Sequence, residues 1–252
     1  MENNLALRPA YWASVSGGKD SLFMLNLILE HPDLYPLDGV VHFELEIDFP
    51  FIRDVVNFME MECIKRGIRF VRIRPRNSWY DIYEEKGFPG RVHRWCNSEY
   101  KMDAQRQLNE WMKSLGCYTV MYIGYCVDEK RRYEKRADKK EMYPLVDFNI
   151  EEKYIWEWAK KQSIFNNYYK VNKRCGCMYC PLMSYIEVAY IYKYYPEKFN
   201  EFISMMRETE NKVFQKTGKP YATMQGNPKY NADYIENIVK TKWIRILNEK
   251  EA

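Results

Sequence analysis

Ser16-Gly17-Gly18-Lys19-Asp20-Ser21 gathers the residue types that bind phosphate. A glycine pair lets the backbone approach an anion closely. The free N–H groups at the start of a following helix, with the partial positive charge there, then hold it. Lys19 adds a mobile cation, and the Ser16 and Ser21 hydroxyls can donate further hydrogen bonds. One glycine pair without a four-residue spacer excludes the G-x-x-x-x-G-K-[ST] loop. Asp20 has two readings, a carboxylate that holds Mg²⁺ or a cap for the helix. A plain turn would explain the glycines, but not both serines, the lysine and the aspartate together.

Arg174-Cys175-Gly176-Cys177-Met178-Tyr179-Cys180-Pro181 is the second concentration of chemistry. A C-x-x-C turn brings two sulfurs onto one metal, and Gly176 and Pro181 favour the tight backbone this needs. Cys175 places a third thiolate within reach, and Cys96 is a candidate fourth ligand. Such a set suits an iron–sulfur cluster or Zn²⁺. Cys63 and Cys117 read as core residues, whereas Cys126 follows a strand and is either buried or facing a cleft. His31, His42 and His93 have no metal-ligand spacing, and the first two read as structural.

The elements that must position these residues alternate. Tyr11 to Val15 reads as a strand and Leu22 to Glu30 as a helix. Gly39 to Phe43 reads as a strand, Phe51 to Arg66 as a helix, and Ile68 to Ile73 as a strand. Glu99 to Leu115 is helical with Gly116 as its stop, and Tyr118 to Ile123 is a strand ending at Gly124. This alternation predicts an α/β fold, a parallel twisted sheet with helices on both faces. Ligands of such sheets bind beyond the carboxyl ends of the strands, where the Ser16–Ser21 loop falls. Helices are expected over 152–162, 184–195 and 234–247, with Pro196, Pro220 and Pro228 between them. The organisation expected is a nucleotide-binding domain over 1–150 and a helical extension over 151–252 packed upon it.

Composition narrows the class. With 252 residues the chain can bury one substantial core and a smaller appendage. No apolar run approaches the ~18 residues that cross a bilayer, and Met-Glu-Asn-Asn does not start a secretory signal. A cytoplasmic protein without membrane contact is expected, and seven cysteines in a reducing compartment favour metal or redox chemistry over disulfides. A net charge of +4 does not by itself indicate nucleic acid. Lys130, Arg131, Arg132, Lys135, Arg136, Lys139 and Lys140 nevertheless cluster. They form either a solvated face or a basic lid over nucleotide phosphates or a nucleic-acid backbone. The tyrosines after residue 168 read as an aromatic core more readily than as a stacking surface.

The Ser16–Ser21 segment resembles the SGGxDS signature of the PP-loop ATP pyrophosphatase superfamily. Together with later motifs it resembles the phosphoadenosine-phosphosulfate (PAPS) reductase family, over residues 10–185. Arg94-x-Cys96 followed by Lys101 is similar to that family's cysteine-then-lysine segment. Gly124, Asp128-Glu129 and Arg131 or Arg132 are similar to its glycine, acidic and arginine stretch. Tyr143-Pro144-Leu145-Val146-Asp147-Phe148 is similar to its Pro-Leu-x-Asp-aromatic motif, and Gly176-Cys177-x-x-Cys180-Pro181 to its second cysteine pair.

The resemblance implies an enzyme that binds ATP or an adenylyl-sulfate nucleotide with Mg²⁺ and cleaves at the α-phosphate, in sulfur transfer. Lys19, Asp20, Arg131 and Arg132 would be catalytic. Ser16, Gly17, Gly18, Lys19, Asp20, Ser21 and Gly124 would bind the nucleotide, and Arg94 and Lys101 the acceptor or nucleotide. Many such enzymes carry a [4Fe–4S] cluster on cysteines like Cys96, Cys175, Cys177 and Cys180. The sulfonucleotide reductases use a C-terminal cysteine nucleophile, and no cysteine follows Cys180 here. Reduction would therefore need Cys126 or a thiol from a reductant or sulfur-donor protein. Otherwise the resemblance points to members that adenylate another molecule. A binding module that recognises nucleotide or nucleic acid without turnover, and a homo-oligomeric state, complete the expectations.

Overall fold

The computed structural model describes residues 7–91, 93–136, 140–224 and 227–251. In chain order, β1 (Arg8–Ser14) leads into α1 (Lys19–Glu30), followed by β2 (Gly39–Phe43), α2 (Pro50–Lys65) and β3 (Phe70–Ile73). Next come α3 (Trp79–Lys86), α4 (Met102–Ser114), β4 (Cys117–Tyr122), α5 (Lys130–Glu134), β5 (Glu141–Met142) and the short α6 (Pro144–Asp147). The remaining helices are α7 (Glu152–Ala159), α8 (Tyr168–Val171), α9 (Tyr185–Tyr194), α10 (Pro196–Thr217), α11 (Ala232–Ile238) and α12 (Ile244–Glu251).

The strands form one parallel sheet in the order β3-β2-β1-β4-β5. The α/β expectation holds. Parallel neighbours need crossovers, and right-handed ones run outward from β1 to β3 and then return to β4, which places helices on both faces. On one face Ala10, Trp12, Val41 and Met121 pack against Leu108 and Met112 of α4. The first four residues of β2 are buried, as an inner parallel strand requires. Gly116, with φ of +70°, turns the chain from α4 into β4 where a stop was expected.

The chain divides into two compact units. The first comprises Met1–Leu45, Pro50–Arg76 and Lys101–Tyr169, and the second Glu46–Phe49, Asn77–Tyr100 and Lys170–Ala252. The division differs from a boundary at residue 150. In the first unit, the Trp156 indole donates to the Tyr169 carbonyl at 2.8 Å, closing 152–169 on itself, and the Tyr169 hydroxyl accepts from the Lys19 amide at the start of α1 at 3.0 Å. In the second, the Met178 amide donates to the Ile47 carbonyl at 2.8 Å, and the Glu46 carboxylate accepts from the Ser78 hydroxyl and the Trp79 amide. These bonds draw short segments out of the first half of the chain.

Pro196 falls between α9 and α10, as expected, and also opens α10, because proline's missing N–H costs nothing in a first turn. Two local readings are corrected. The helix expected over 234–247 is interrupted by a wide π-helical turn, Val239–Trp243. A similar turn, Cys96–Lys101, precedes α4. Ser184 caps α9 with a reciprocal capping box to Glu187, so the apolar face of that helix starts where its spacing indicated. Among the described residues no helix is long and apolar enough to cross a membrane.

Candidate nucleotide site and cysteine segment

The Ser16–Ser21 loop leaves the carboxyl end of the central strand β1 and enters α1. β1 is where the strand order reverses, with β2 on one side and β4 on the other, the place where parallel sheets bind ligands. Gly17 adopts a φ of +77°, and a Cβ there would lie 2.7 Å from Ile52 Cγ2. Only glycine makes this turn without strain and overlap. Gly18 is the N-cap residue of α1 and makes no side-chain cap hydrogen bond. Asp20 therefore does not act as the cap. Gly124, just past β4, approaches the first turn of α1 so closely that a Cβ would stand 3.0 Å from the Asp20 carbonyl oxygen.

The serines organise the loop. The Ser21 hydroxyl donates to the Gly18 carbonyl at 2.9 Å and accepts from the Ser16 amide at 3.2 Å, and the two hydroxyls lie 3.3 Å apart. Ser16 remains exposed. The Lys19 amide donates to the Tyr169 hydroxyl at 3.0 Å.

Lys19 differs from the mobile cation expected. Its side chain is fully buried, and its ammonium bonds Asp20 Oδ1 at 2.7 Å and Glu152 Oε1 at 3.3 Å. Burial opposes its charge, but the two carboxylates outweigh burial and raise its pKa, so it stays protonated. Glu152, the first residue of α7, and Tyr169 were not singled out in the sequence. The only signals were the Pro-Leu-x-Asp-aromatic motif leading into α7 and the tyrosine-rich run that includes 169.

Acidic groups crowd the far side. The Cys126 thiol is buried 3.9 Å from Asp20 Oδ1, and its amide donates to Glu129 at 3.1 Å. Asp128 accepts from the Glu152 amide at 3.1 Å. Burial, reinforced by Asp20 and Glu129, pushes the Cys126 thiol far above its ordinary range. A thiol held above its ordinary range is a poor nucleophile near neutral pH. Arg132 pairs with Glu129, and its guanidinium lies 4.3 Å from the Tyr125 ring centroid. Arg131 is exposed on α5. Arg136 pairs with Glu141 and Lys130 with Glu134, so part of the basic segment is neutralised by its own neighbours. Lys139 lies outside the described residues.

Lys101 belongs to the first unit, half-buried at the end of the turn before α4. Arg94 belongs to the second and is exposed, and its carbonyl accepts from the Asn97 and Ser98 amides.

The second unit holds Cys96, Cys175, Cys177 and Cys180, none of them in a disulfide. The Cys180 amide donates to the Cys177 carbonyl at 3.2 Å, closing the C-x-x-C turn. Gly176 sits against Cys180, 3.7 Å from its sulfur to where a Cβ would stand. Among the described residues no three His, Cys, Asp or Glu side chains are gathered so as to hold a metal. The donor chemistry suits a thiophilic metal, but the four thiols are not drawn round one point. Mg²⁺ stands differently, because it takes only one or two carboxylates beside substrate phosphates, and Asp20 can supply one. Cys63 and Cys117 are buried, as read from the sequence.

No protein-family model matches the chain. It is 26% identical over 210 residues to an uncharacterized protein of Methanocaldococcus jannaschii, covering 77% of this chain and 47% of that protein. A second uncharacterized protein of the same organism is 26% identical over 212 residues, with 78% of this chain and 41% of that protein covered. Among solved structures, the U34-tRNA thiolase NcsA from Methanococcus maripaludis with its [4Fe-4S] cluster shares 16% identity. That alignment covers 95% of this chain and 75% of the thiolase, at a TM-score of 0.42. The chain spans less than half the length of the two curated relatives it matches.

Proposed function

We propose that the first unit is a PP-loop nucleotide enzyme that binds ATP at Ser16–Ser21, cleaves it at the α-phosphate and adenylates an acceptor, with release of pyrophosphate. The observation that carries this reading is the glycine turn that opens α1. Its Gly17-Gly18 turn lies at the carboxyl end of the central strand, with Gly124 drawn against the first helical turn. An anion there meets the positive end of the helix dipole and a first turn whose Lys19 amide is shared with the Tyr169 hydroxyl.

In-line attack at the α-phosphate needs the departing pyrophosphate held and neutralised. The loop backbone, Ser16, Ser21 and Lys19 do this, and Arg131 and Arg132 are the cations available from α5. Mg²⁺ held by Asp20 and the phosphates would neutralise the rest. Lys19 is kept charged by Asp20 and Glu152 and so delivers a full positive charge when it turns to a phosphate. The resemblance to the PAPS reductase family makes sulfur transfer the context, with Arg94 or Lys101 toward the acceptor. It also proposes a [4Fe–4S] cluster, or Zn²⁺, on the four cysteines of the second unit, and a sulfur-donor or reductant partner.

Lys19→Ala and Ser21→Ala test the reading. Both should abolish ATP-dependent pyrophosphate release while circular dichroism stays native, and activity surviving in both would remove the site from consideration. Sulfite release from an adenylyl-sulfate nucleotide, in place of pyrophosphate from ATP, would replace adenylation with reduction.

A further inference from the structure

Helix α2 turns an apolar side to solvent. Ile52, Val55, Val56, Met59 and Cys63 are buried on its inner side, where Ile52 and Val56 stand against Gly17 of the nucleotide loop. Its outer side exposes Phe58, Met61 and Ile64 by 44, 53 and 59%. A single exposed apolar side chain is ordinary, but several together on one side of a helix make a patch, and such patches mark interfaces. The helix lies wholly inside the first unit.

The patch is ordered along the helix. Asp54, Phe58, Met61 and Lys65 follow one another at intervals of four, three and four residues. That spacing sets them in one stripe, with the 3.5-residue repeat by which two helices pack. Asp54 and Lys65 are exposed at its two ends. Lys65 reaches Glu62 at 2.6 Å, but Arg66 holds the other oxygen of the same carboxylate. Lys65 can therefore turn away without leaving Glu62 unpaired.

The stripe is complementary to itself. Asp54 lies as far before the midpoint of Phe58 and Met61 as Lys65 lies after it. Two copies of α2 packed antiparallel about that midpoint set Phe58 of each on Met61 of the other. They also set Asp54 of each against Lys65 of the other. A two-fold interface requires this reciprocity. A parallel pair would put Asp54 on Asp54 and Lys65 on Lys65, and like charges face to face disfavour it.

We propose that the partner of this face is a second copy of the chain, and that α2 is the contact helix of an antiparallel, two-fold homodimer. Phe58 and Met61 form its centre, and Asp54–Lys65 pairs close both ends. None of these residues belongs to the proposed nucleotide site, so the dimer stands or falls independently of the chemistry at the loop.

Sedimentation equilibrium of the full chain over a range of concentrations should show a monomer–dimer equilibrium. Phe58→Glu should raise the dissociation constant at least about tenfold, by putting a charge into the apolar centre. Asp54→Lys and Lys65→Asp should each weaken the dimer about tenfold, because each sets like charges face to face at both ends. The two reversals in one chain should restore the parent affinity to within about threefold, since opposite charges meet again. All three side chains are exposed, so the melting temperatures of the dilute monomers should stay near that of the parent, which separates a lost contact from a lost fold. A chain that stays monomeric at every concentration overturns the proposal. So does a dimer indifferent to Phe58→Glu, which would use another face. A double reversal no tighter than the single ones overturns it too, because the antiparallel register would then be wrong.

Discussion

The Lys19 ammonium lies 3.3 Å from Glu152 Oε1, joining the phosphate loop to a helix that begins 133 residues later. Glu152 and the phosphates of a bound nucleotide would compete for the same cation. Glu152 is 40% exposed, so the pair is worth only about 0.2–1 kcal/mol. Glu152→Gln should therefore lower the KM for ATP by up to about fivefold without loss of kcat. Steady-state pyrophosphate release measures both. A large fall in kcat would instead make Glu152 part of the machinery that acts on the phosphates.

Gly17 and Gly116 separate conformational strain from close packing. Both have φ near +70°, but a Cβ on Gly116 meets nothing within 4 Å, whereas one on Gly17 meets Ile52 at 2.7 Å. Gly116→Ala should cost about 1–2 kcal/mol from backbone strain alone. Gly17→Ala should add roughly 1–3 kcal/mol of overlap and displace the loop, so ATP binding falls with stability. Thermal unfolding and ATP titration of the two variants give the comparison. Equal losses in both would show that Ile52 yields.

His42 couples the sheet to the base of the loop. Its Nδ1 lies 2.8 Å from the Val15 carbonyl oxygen, so Nδ1 carries the proton and donates. Burial, the largest influence on this ring, holds its pKa below the ordinary value. A base whose folded pKa is depressed contributes stability fully above its unfolded pKa, about 6.5, and loses it as pH falls toward the folded value. The melting temperature should drop as pH falls below about 6.5. His42→Asn should flatten that part of the curve, because asparagine can donate to Val15 without titrating. An unchanged slope in the variant would assign the acid sensitivity to other groups.

What the sequence discloses and what it conceals divide along physical lines. Gly39-Val40-Val41-His42-Phe43 announces β2 because a strand buried on both faces is continuously apolar, and Gly17-Gly18 announces the loop because few backbones need that turn. Glu152 and Tyr169 are silent. Their roles come from tertiary packing that brings residues 133 and 150 positions away onto Lys19, and no local periodicity encodes that. Pro196 marks the break between α9 and α10 but does not by itself announce that it opens the second, since a proline can do both.

Cys96, Cys175, Cys177 and Cys180 make the sharpest remaining test, since all four lie in one compact unit yet are not gathered to hold a metal. Metal binding and local folding are coupled at thiolate sites, so a metal can itself draw such ligands together. Protein purified without oxygen should be brown and hold about four iron and four sulfide per chain. Cys177→Ser and Cys180→Ser should each lose iron and lower the melting temperature, because the C-x-x-C turn would then offer a single sulfur. Cys63→Ser should keep its iron, since that thiol is buried in α2, where desolvation pushes its pKa up to about 11. One zinc per chain in a colourless protein would make the site structural. Chain purified free of both metals, with Cys177→Ser as stable as its parent, would leave the cysteines as packing residues and the nucleotide loop as the only candidate site of the proposed enzyme.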